Sequence, residues 1–349
     1  MSHEYSFMSS HRTLAILSDI HYASAAERAR GNFCLSAVSN PARRLAIRLY
    51  RHYFWQRDPF AHNHLLDEFL TRAGRSDYVV ANGDYSCDSA FIGVSDDAAC
   101  QSARECLDKL RRRFPANFHA VIGDHELGKK PLGADLGGLR LASFRRAEKE
   151  LSLKPFWQVS IGDYLLLGLV SSLVAWPVYE EEALPAERLE WRQLRARHLD
   201  ELGRAFDALQ PSQRVLLFCH DPTALPFLLR EEAVRRKVGQ IERTIIGHLH
   251  SRVILWKSRI LSGMPVVSFL GHTPRRLSSA LREARHWKPF KLLLCPSLAG
   301  IELLNDGGYY MVELDPAAGG PARFQLHRFN SRRLARRADP GPDHRAGGC

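Results

Sequence analysis

The sequence predicts an α/β domain whose sheets carry both parallel and antiparallel strands. Three observations predict it. Short β-rich runs recur along the chain; many are followed by polar residues and then a helical pattern; and one pair of runs is joined by only two residues. The first run, 13–17, ends in Ser-Asp-Ile-His, and the second, 78–81, in Asn-Gly-Asp. Run 118–122 ends in Gly-Asp-His-Glu, 215–218 in Cys-His-Asp, and 244–246 in Gly-His-Leu-His. Apolar spacing near 3.6 predicts helices over 63–73, 98–113, 185–209 and 222–236, with Pro185 and Pro211 as start and stop signals of the third. Gly162-Asp163 between 156–161 and 164–170 predicts a tight hairpin. Further strands are expected over 266–269, 309–314 and 323–329.

A chain of 349 residues can bury a substantial core as one large domain or two small ones. Its 45% hydrophobic and 25% charged residues are those of a folded globular protein. Lys and Arg outnumber Asp and Glu by 49 to 38, a formal net charge of +11, which favours anionic partners such as nucleotides, phospholipids or nucleic acid. Part of that excess is a tail effect: Arg332, Arg333, Arg336, Arg337 and Arg345 stand against Asp339 and Asp343 in a polar, Gly- and Pro-rich end (330–349) expected to lack fixed structure. Seven scattered cysteines without a CxxC pair read as reduced thiols. Residues 1–12 hold no apolar core of signal-peptide length. The longest apolar stretch, 164–178, is broken by Gly168, Ser171, Ser172 and Pro177, and is too short to span a bilayer. The expected location is cytoplasmic, or peripheral to the inner membrane surface.

Five strand ends that stop in Asp or His carry the chemistry. In α/β sheets, ligands gather where the carboxyl ends of strands open into loops. Such loops would bring the carboxylates of Asp19, Asp84 and Asp124 and the imidazoles of His21, His220, His248 and His250 into one cleft. Oxygen and nitrogen donors without thiolate suit Mn, Fe or Zn, and so polar a cluster is costly to bury without metal or full hydrogen bonding. Each motif is weak alone. Asp-x-His arises often by chance, Gly-Asp is a common turn, and a lone His-x-His is more often a surface feature than a ligand pair. Their order, each behind a β run, is the signal.

In that order (Asp19-Ile20-His21, Gly83-Asp84, Gly123-Asp124-His125-Glu126, His220, Gly247-His248-Leu249-His250) the sequence resembles the calcineurin-like metallophosphoesterase superfamily over 13–329. The resemblance implies a four-layer α/β/β/α sandwich with two mixed β-sheets. It also implies hydrolysis of a phosphodiester or phosphomonoester by a hydroxide held between two divalent ions (Mn, Fe or Zn). Asp19, His21, Asp84 and His250 would hold the first ion, and Asp84 would bridge to a second completed by Asp124, His220 and His248. His125 would stand outside the metal shell, near the leaving-group oxygen, with Glu126 orienting its ring. Asp88 is a further candidate, for a hydrogen bond to His125 or to water, against the plainer reading of a turn residue. Position 124 departs from the family pattern, which has Asn there. The extra carboxylate is expected to tighten metal binding and weaken the second ion as a Lewis acid, or to favour Fe³⁺. Cys219 reads as a small buried hydrophobe and Asp221, before Pro222, as a helix N-cap.

Two stretches bear on the substrate. An insertion over about 22–60 has at its centre a basic amphipathic helix, 41–57, with Arg44, Arg48, Arg51 and His52 on one side and Leu45, Leu49, Tyr50, Tyr53 and Phe54 largely opposite. That pattern suits a membrane surface or lipid; a helix packed on the core with a solvated basic face is the weightier expectation. The segment 272–296, with Arg275, Arg276, Arg282, Arg285, His286, Trp287, Lys288 and Lys291, would cap the cleft or bind an anionic ligand. An anionic phosphorylated substrate is expected, a small phosphodiester in preference. Nucleic acid is the less favoured target, since no nucleic-acid module is recognisable. The alternative to an enzyme is a metal-containing scaffold that binds a phosphorylated or lipid ligand without turnover.

Overall fold

The computed structural model describes residues 11–31, 33–87, 91–131, 134, 136–267, 272–316 and 320–329. Its strands are β1 (Arg12–Leu17), β2 (Tyr78–Ala81), β3 (Phe118–Ala120), β4 (Phe156–Ile161), β5 (Tyr164–Leu169), β6 (Arg214–Cys219), β7 (Ile241–Ile246), β8 (Leu292–Leu294), β9 (Gly308–Leu314) and β10 (Arg323–Arg328). The helices of the first half are α1 (Ala25–Arg30), α2 (Pro41–Tyr53), α3 (Asn63–Arg72), α4 (Asp97–Arg113), α5 (Asp124–Leu127) and α6 (Leu141–Lys149). Those of the second half are α7 (Ser171–Val174), α8 (Trp176–Tyr179), α9 (Arg188–Asp207), α10 (Leu225–Leu228), α11 (Glu232–Lys237), α12 (Arg252–Ile260) and α13 (His272–Glu283).

Two five-stranded sheets result, ordered β10-β9-β1-β2-β3 and β4-β5-β6-β7-β8. β1, β2 and β3 are parallel, as are β5 to β8, while β9, β10 and β4 supply the antiparallel pairs. The inner strands, such as β5 and β6, are apolar on both faces because both faces are covered. Leu14 and Ile16 of β1, with Val80, meet Leu166, Leu216, Phe218 and Ile245 between the sheets. The alternate residues Ala15, Leu17, Val79 and Ala81 pack against α3, α4 and α6. Leu165, Leu167, Val215 and Leu217 pack against α9, α10 and α11. The layers are therefore helix, sheet, sheet, helix, the calcineurin-like sandwich that the resemblance implies. Hydrogen bonds also tie the sheets together directly: the Trp157 indole donates to the Ala120 carbonyl at 2.9 Å, the Asn82 amide to the Ile245 carbonyl at 3.4 Å, and the Cys295 thiol to the Ile16 carbonyl at 3.5 Å.

The hairpin at Gly162-Asp163 forms in the register Ile161 to Tyr164 and Phe156 to Leu169. Three expectations change. Helix 222–236 is broken into a 3₁₀ turn (Pro222–Ala224), α10 and α11, because Pro226 lacks an N–H and must begin a helix rather than sit inside one. Val266 and Val267 are irregular, and the rest of the expected strand 266–269 lies outside the described residues. Segment 272–296 is a cap only at its start. Trp287 and Phe290 are buried in the core of the second sheet, and β8 is that sheet's edge strand beside β7.

Candidate metal centre

All five motif loops leave the carboxyl ends of parallel strands, three from the first sheet and two from the second, and they meet at one edge of the sandwich. Backbone bonds weld the loops: the Asp19 N–H donates to the Gly83 carbonyl (3.1 Å), the Ile20 N–H to Asp84 (2.9 Å) and the Gly247 N–H to His220 (2.9 Å). Asp19, His21, Asp84, His248 and His250 all have positive φ, between 49° and 61°. A non-glycine residue there stores on the order of 1–3 kcal/mol, and here the strain turns five side chains inward. The glycines of the motifs make the room. A Cβ on Gly123 would lie 2.2 Å from Asp84 Oδ1, and one on Gly247 2.1 Å from Ser18 Oγ.

The seven expected ligands converge. Candidate donor atoms of Asp19, His21 and His250 lie within 4.8 Å of one another, as do those of Asp124, His220 and His248. Asp84 joins the two groups, sharing one such cluster with His21 and His125 and another with Asp19 and His220. His21 Nε2 and His250 Nε2 face each other at 3.2 Å. His21 Nδ1 is 3.2 Å from the Ser86 carbonyl and His220 Nδ1 2.6 Å from the Asn82 carbonyl. A carbonyl only accepts, so each ring donates from Nδ1 and turns Nε2 toward the cleft, where it would serve as the ligand atom. Asp84 Oδ2 is buried without a hydrogen-bond partner, although His220 Nε2 lies 3.1 Å away. An orphaned carboxylate oxygen among convergent lone pairs is what a pair of divalent cations fits.

Electrostatics divide the histidines: burial by itself would lower His220, but Asp84, Asp19 and Asp124 outweigh it and hold the ring well above its ordinary 6.5. Burial, then the neighbouring His125, lowers His21 to about 3, and burial and His21 hold His250 low as well, so both stay neutral donors. Burial raises Asp19 to about 6. Burial and Asp124 push Asp84 up, yet His220 and His125 outweigh them and keep it ionised.

The residues around the ligands hold four surprises. First, Glu126 does not orient His125. Its carboxylate accepts from the backbone N–H groups of Gly123 (2.9 Å), Asp84 (3.0 Å) and Tyr85 (2.8 Å), so it grips the loops instead. Burial and nearby Asp84 raise it to about 7. The His125 ring has Nδ1 3.3 Å from the Cys87 carbonyl and Nε2 3.9 Å from Asp84 Oδ2, which leaves Nε2 facing the cleft. Second, Lys129 enters the site. Asp124 Oδ1 faces His220 and His248, each at 3.1 Å, while its Oδ2 receives Lys129 Nζ at 2.8 Å. The charge that Asp124 adds relative to Asn is paired with this ammonium, a partner that the expectation of a weakened second ion or of Fe³⁺ did not include. Lys129 follows the Gly-Asp-His-Glu motif by three residues, but nothing in its spacing tells a ligand's partner from a surface lysine.

Third, Asp221 both caps the 3₁₀ turn, accepting from the Thr223 N–H at 2.8 Å, and accepts from Tyr179 Oη while lying 3.9 Å from His248 Nε2. With Lys129, Thr223, Tyr179 and Arg276, it lines a cleft next to His248. Fourth, the Trp55 ring lies on His250, centroids 4.4 Å apart, which brings the end of the insertion to the metal centre. Cys219 is buried and its thiol is pushed up, as a small hydrophobe's would be. Asp88 lies outside the described residues.

A family model described as calcineurin-like phosphoesterase matches residues 12–252. No curated protein matches. Among solved structures, a dimetal phosphatase from Danio rerio aligns over 87% of this chain and 92% of its own, with 14% identity and a TM-score of 0.44. A metallophosphoesterase from Sphaerobacter thermophilus aligns over 95% of each chain, with 13% identity and a TM-score of 0.34.

Proposed function

The chain belongs to the calcineurin-like phosphoesterase family, and on that footing we propose that it hydrolyses phosphoesters, small phosphodiesters in preference, at a two-metal centre. The convergence of seven N/O side chains in overlapping clusters, with Asp84 beside both Asp19 and His220, is the observation that carries this reading. Asp19, His21, Asp84 and His250 would hold one divalent ion, and Asp84, Asp124, His220 and His248 the other. When bound, the pair supplies Lewis acidity to the phosphoryl group and lowers the pKa of water between the ions.

The chain's own groups do the rest. His125 presents Nε2 to the cleft beside Asp84, placed to give its proton to the departing alkoxide as the P–O bond breaks. Lys129 and Arg276 border the neighbouring cleft with cationic groups that would receive phosphate oxygens. Trp55 covers one side of His250 and keeps water from that ligand. The scaffold alternative drew its only support from Asp124, whose added charge is paired with Lys129 at 2.8 Å.

Hydrolysis of bis-p-nitrophenyl phosphate by the Mn²⁺-loaded protein tests the reading. His125→Ala is expected to lower turnover by about 10²–10⁴-fold with metal content unchanged. A fully loaded wild-type protein that turns over neither diester nor monoester would leave the scaffold alternative standing.

A further inference from the structure

The insertion helix sits the other way round from the weightier expectation. α2 has no buried residue, and its apolar stripe points outward: Leu45, Leu49 and Tyr53 are 58%, 50% and 59% exposed. Ile47, on the opposite side, faces the body of the protein and packs beside Ala37, Val38 and Phe91. A second helix repeats the arrangement. α12 buries Leu255 and Ser258 but exposes Trp256 and Ile260 at 61% and 60%.

The two helices have ends near His250. α12 begins two residues after His250, and α2 ends two residues before Trp55, whose ring covers His250. A single loop joins both helices: the Leu303 N–H donates to the Phe54 carbonyl, the Glu302 N–H to the Trp55 carbonyl, and Ser251, the N-cap of α12, donates to Asp306 at 2.7 Å. That loop adds Leu303, itself 57% exposed. Neither helix contains an acidic residue, whereas both are rich in Arg and Lys. Isolated exposed leucines are ordinary; two exposed apolar stripes on helices that carry cations and no acid are not, and the two acids of the joining loop are engaged, Glu302 with Arg57 at 3.6 Å and Asp306 with Ser251.

We propose that α2, α12 and the 301–306 loop form a docking surface for an anionic lipid bilayer, on which the protein lies without crossing. Apolar side chains would enter the acyl boundary, and the flanking Arg and Lys would meet anionic headgroups. A protein partner would call for acidic side chains to match both helices, and a second copy of this chain would set cation against cation, so charge complementarity selects the lipid. Among the described residues no helix is long and apolar enough to cross a membrane, which suits attachment in the plane of the interface. Because Trp55 lies on His250, docking sets the mouth of the metal centre beside the bilayer, within reach of phosphoesters borne by lipid. That consequence rests on the hydrolase reading; the docking does not.

Flotation of the full-length protein with vesicles of phosphatidylcholine plus phosphatidylglycerol tests it. Binding is expected to the mixed vesicles, to fall with added salt, and to be lost on phosphatidylcholine alone. Leu49→Glu and Trp256→Glu should each weaken partitioning at least about tenfold, as loss of an inserted side chain would. Leu189→Glu, at an equally exposed leucine on α9, should leave it unchanged, and all three should hydrolyse bis-p-nitrophenyl phosphate like the parent. Absence of vesicle binding, or equal loss with Leu189→Glu, overturns the proposal. So does a dimer in light scattering that Leu49→Glu converts to monomer without any vesicle binding, which would assign the surface to a second copy. Flotation is read without turnover, so its failure is distinct from failure of the hydrolase reading.

Discussion

At the scale of single residues, the informative pair is Asp124 and Lys129. One carboxylate oxygen of Asp124 looks toward two imidazoles and the other toward the ammonium, so the lysine draws charge away from the metal site while adding a cation to the substrate cleft. These effects have opposite signs when Lys129 is replaced. Lys129→Met should tighten Mn²⁺ binding, read by calorimetric titration, and raise KM for a phosphodiester by about tenfold or more, the worth of a charge-assisted hydrogen bond. Asp124→Asn should keep the fold and retain hydrolysis. If Lys129→Met weakened metal binding instead, the ammonium would not be competing for the Asp124 charge. The side chains that converge were legible in the sequence because each is chemically distinctive and stands at a strand end. Lys129 and Trp55 were not, since their roles depend on which loop their side chains meet across the fold.

At the scale of elements, the motif loops work because glycine lets backbone approach side chain. Gly123 φ is ordinary; what it lacks is a Cβ, which would sit 2.2 Å from Asp84 Oδ1 and 2.5 Å from the Asp84 backbone nitrogen. Gly123→Ala should therefore displace Asp84 from between the two ligand groups and lower the metal content of purified protein from two ions to one or none, with the circular dichroism spectrum retained. Full loading in that variant would mean the loop can shift at no cost. Element boundaries were readable wherever a period ended in Gly, Pro or Asp, as at the β4–β5 hairpin and at α4, whose N-cap Asp96 accepts from the Ala99 N–H at 2.9 Å. The orientation of α2 was not readable. Its pattern has two sides, and amphipathicity alone does not say which side meets the protein.

At the scale of the whole molecule, the first sheet is anchored at the start of its inner strands by Asp77, ahead of β2, which accepts from the Thr13 N–H (2.7 Å) and hydroxyl (2.8 Å) on β1. Burial opposes its charge, but those two bonds and Arg12 prevail and hold its pKa below the ordinary 3.8. A carboxylate lowered by folding adds stability above its unfolded value, and that contribution fades as pH drops through the folded one. Asp77→Asn should thus unfold at lower urea than the parent at neutral pH, and the two midpoints should draw together as pH falls below 3.8. A constant gap at every pH would mean that shape, not charge, makes the contact.

The sequence by itself determined the chemistry: which strand ends carry carboxylate or imidazole, where glycine must precede them, and that helices must cover sheets apolar on both faces. Those properties follow from residue type and local period, and both are written along the chain. Tertiary structure alone decided what stands beside what. Glu126 turned to the backbone rather than to His125, Lys129 reached the second oxygen of Asp124, segment 272–296 became sheet edge and core as well as cleft wall, and the apolar stripe of α2 faced outward. Each outcome depends on distances between loops far apart in the chain, which no local pattern contains.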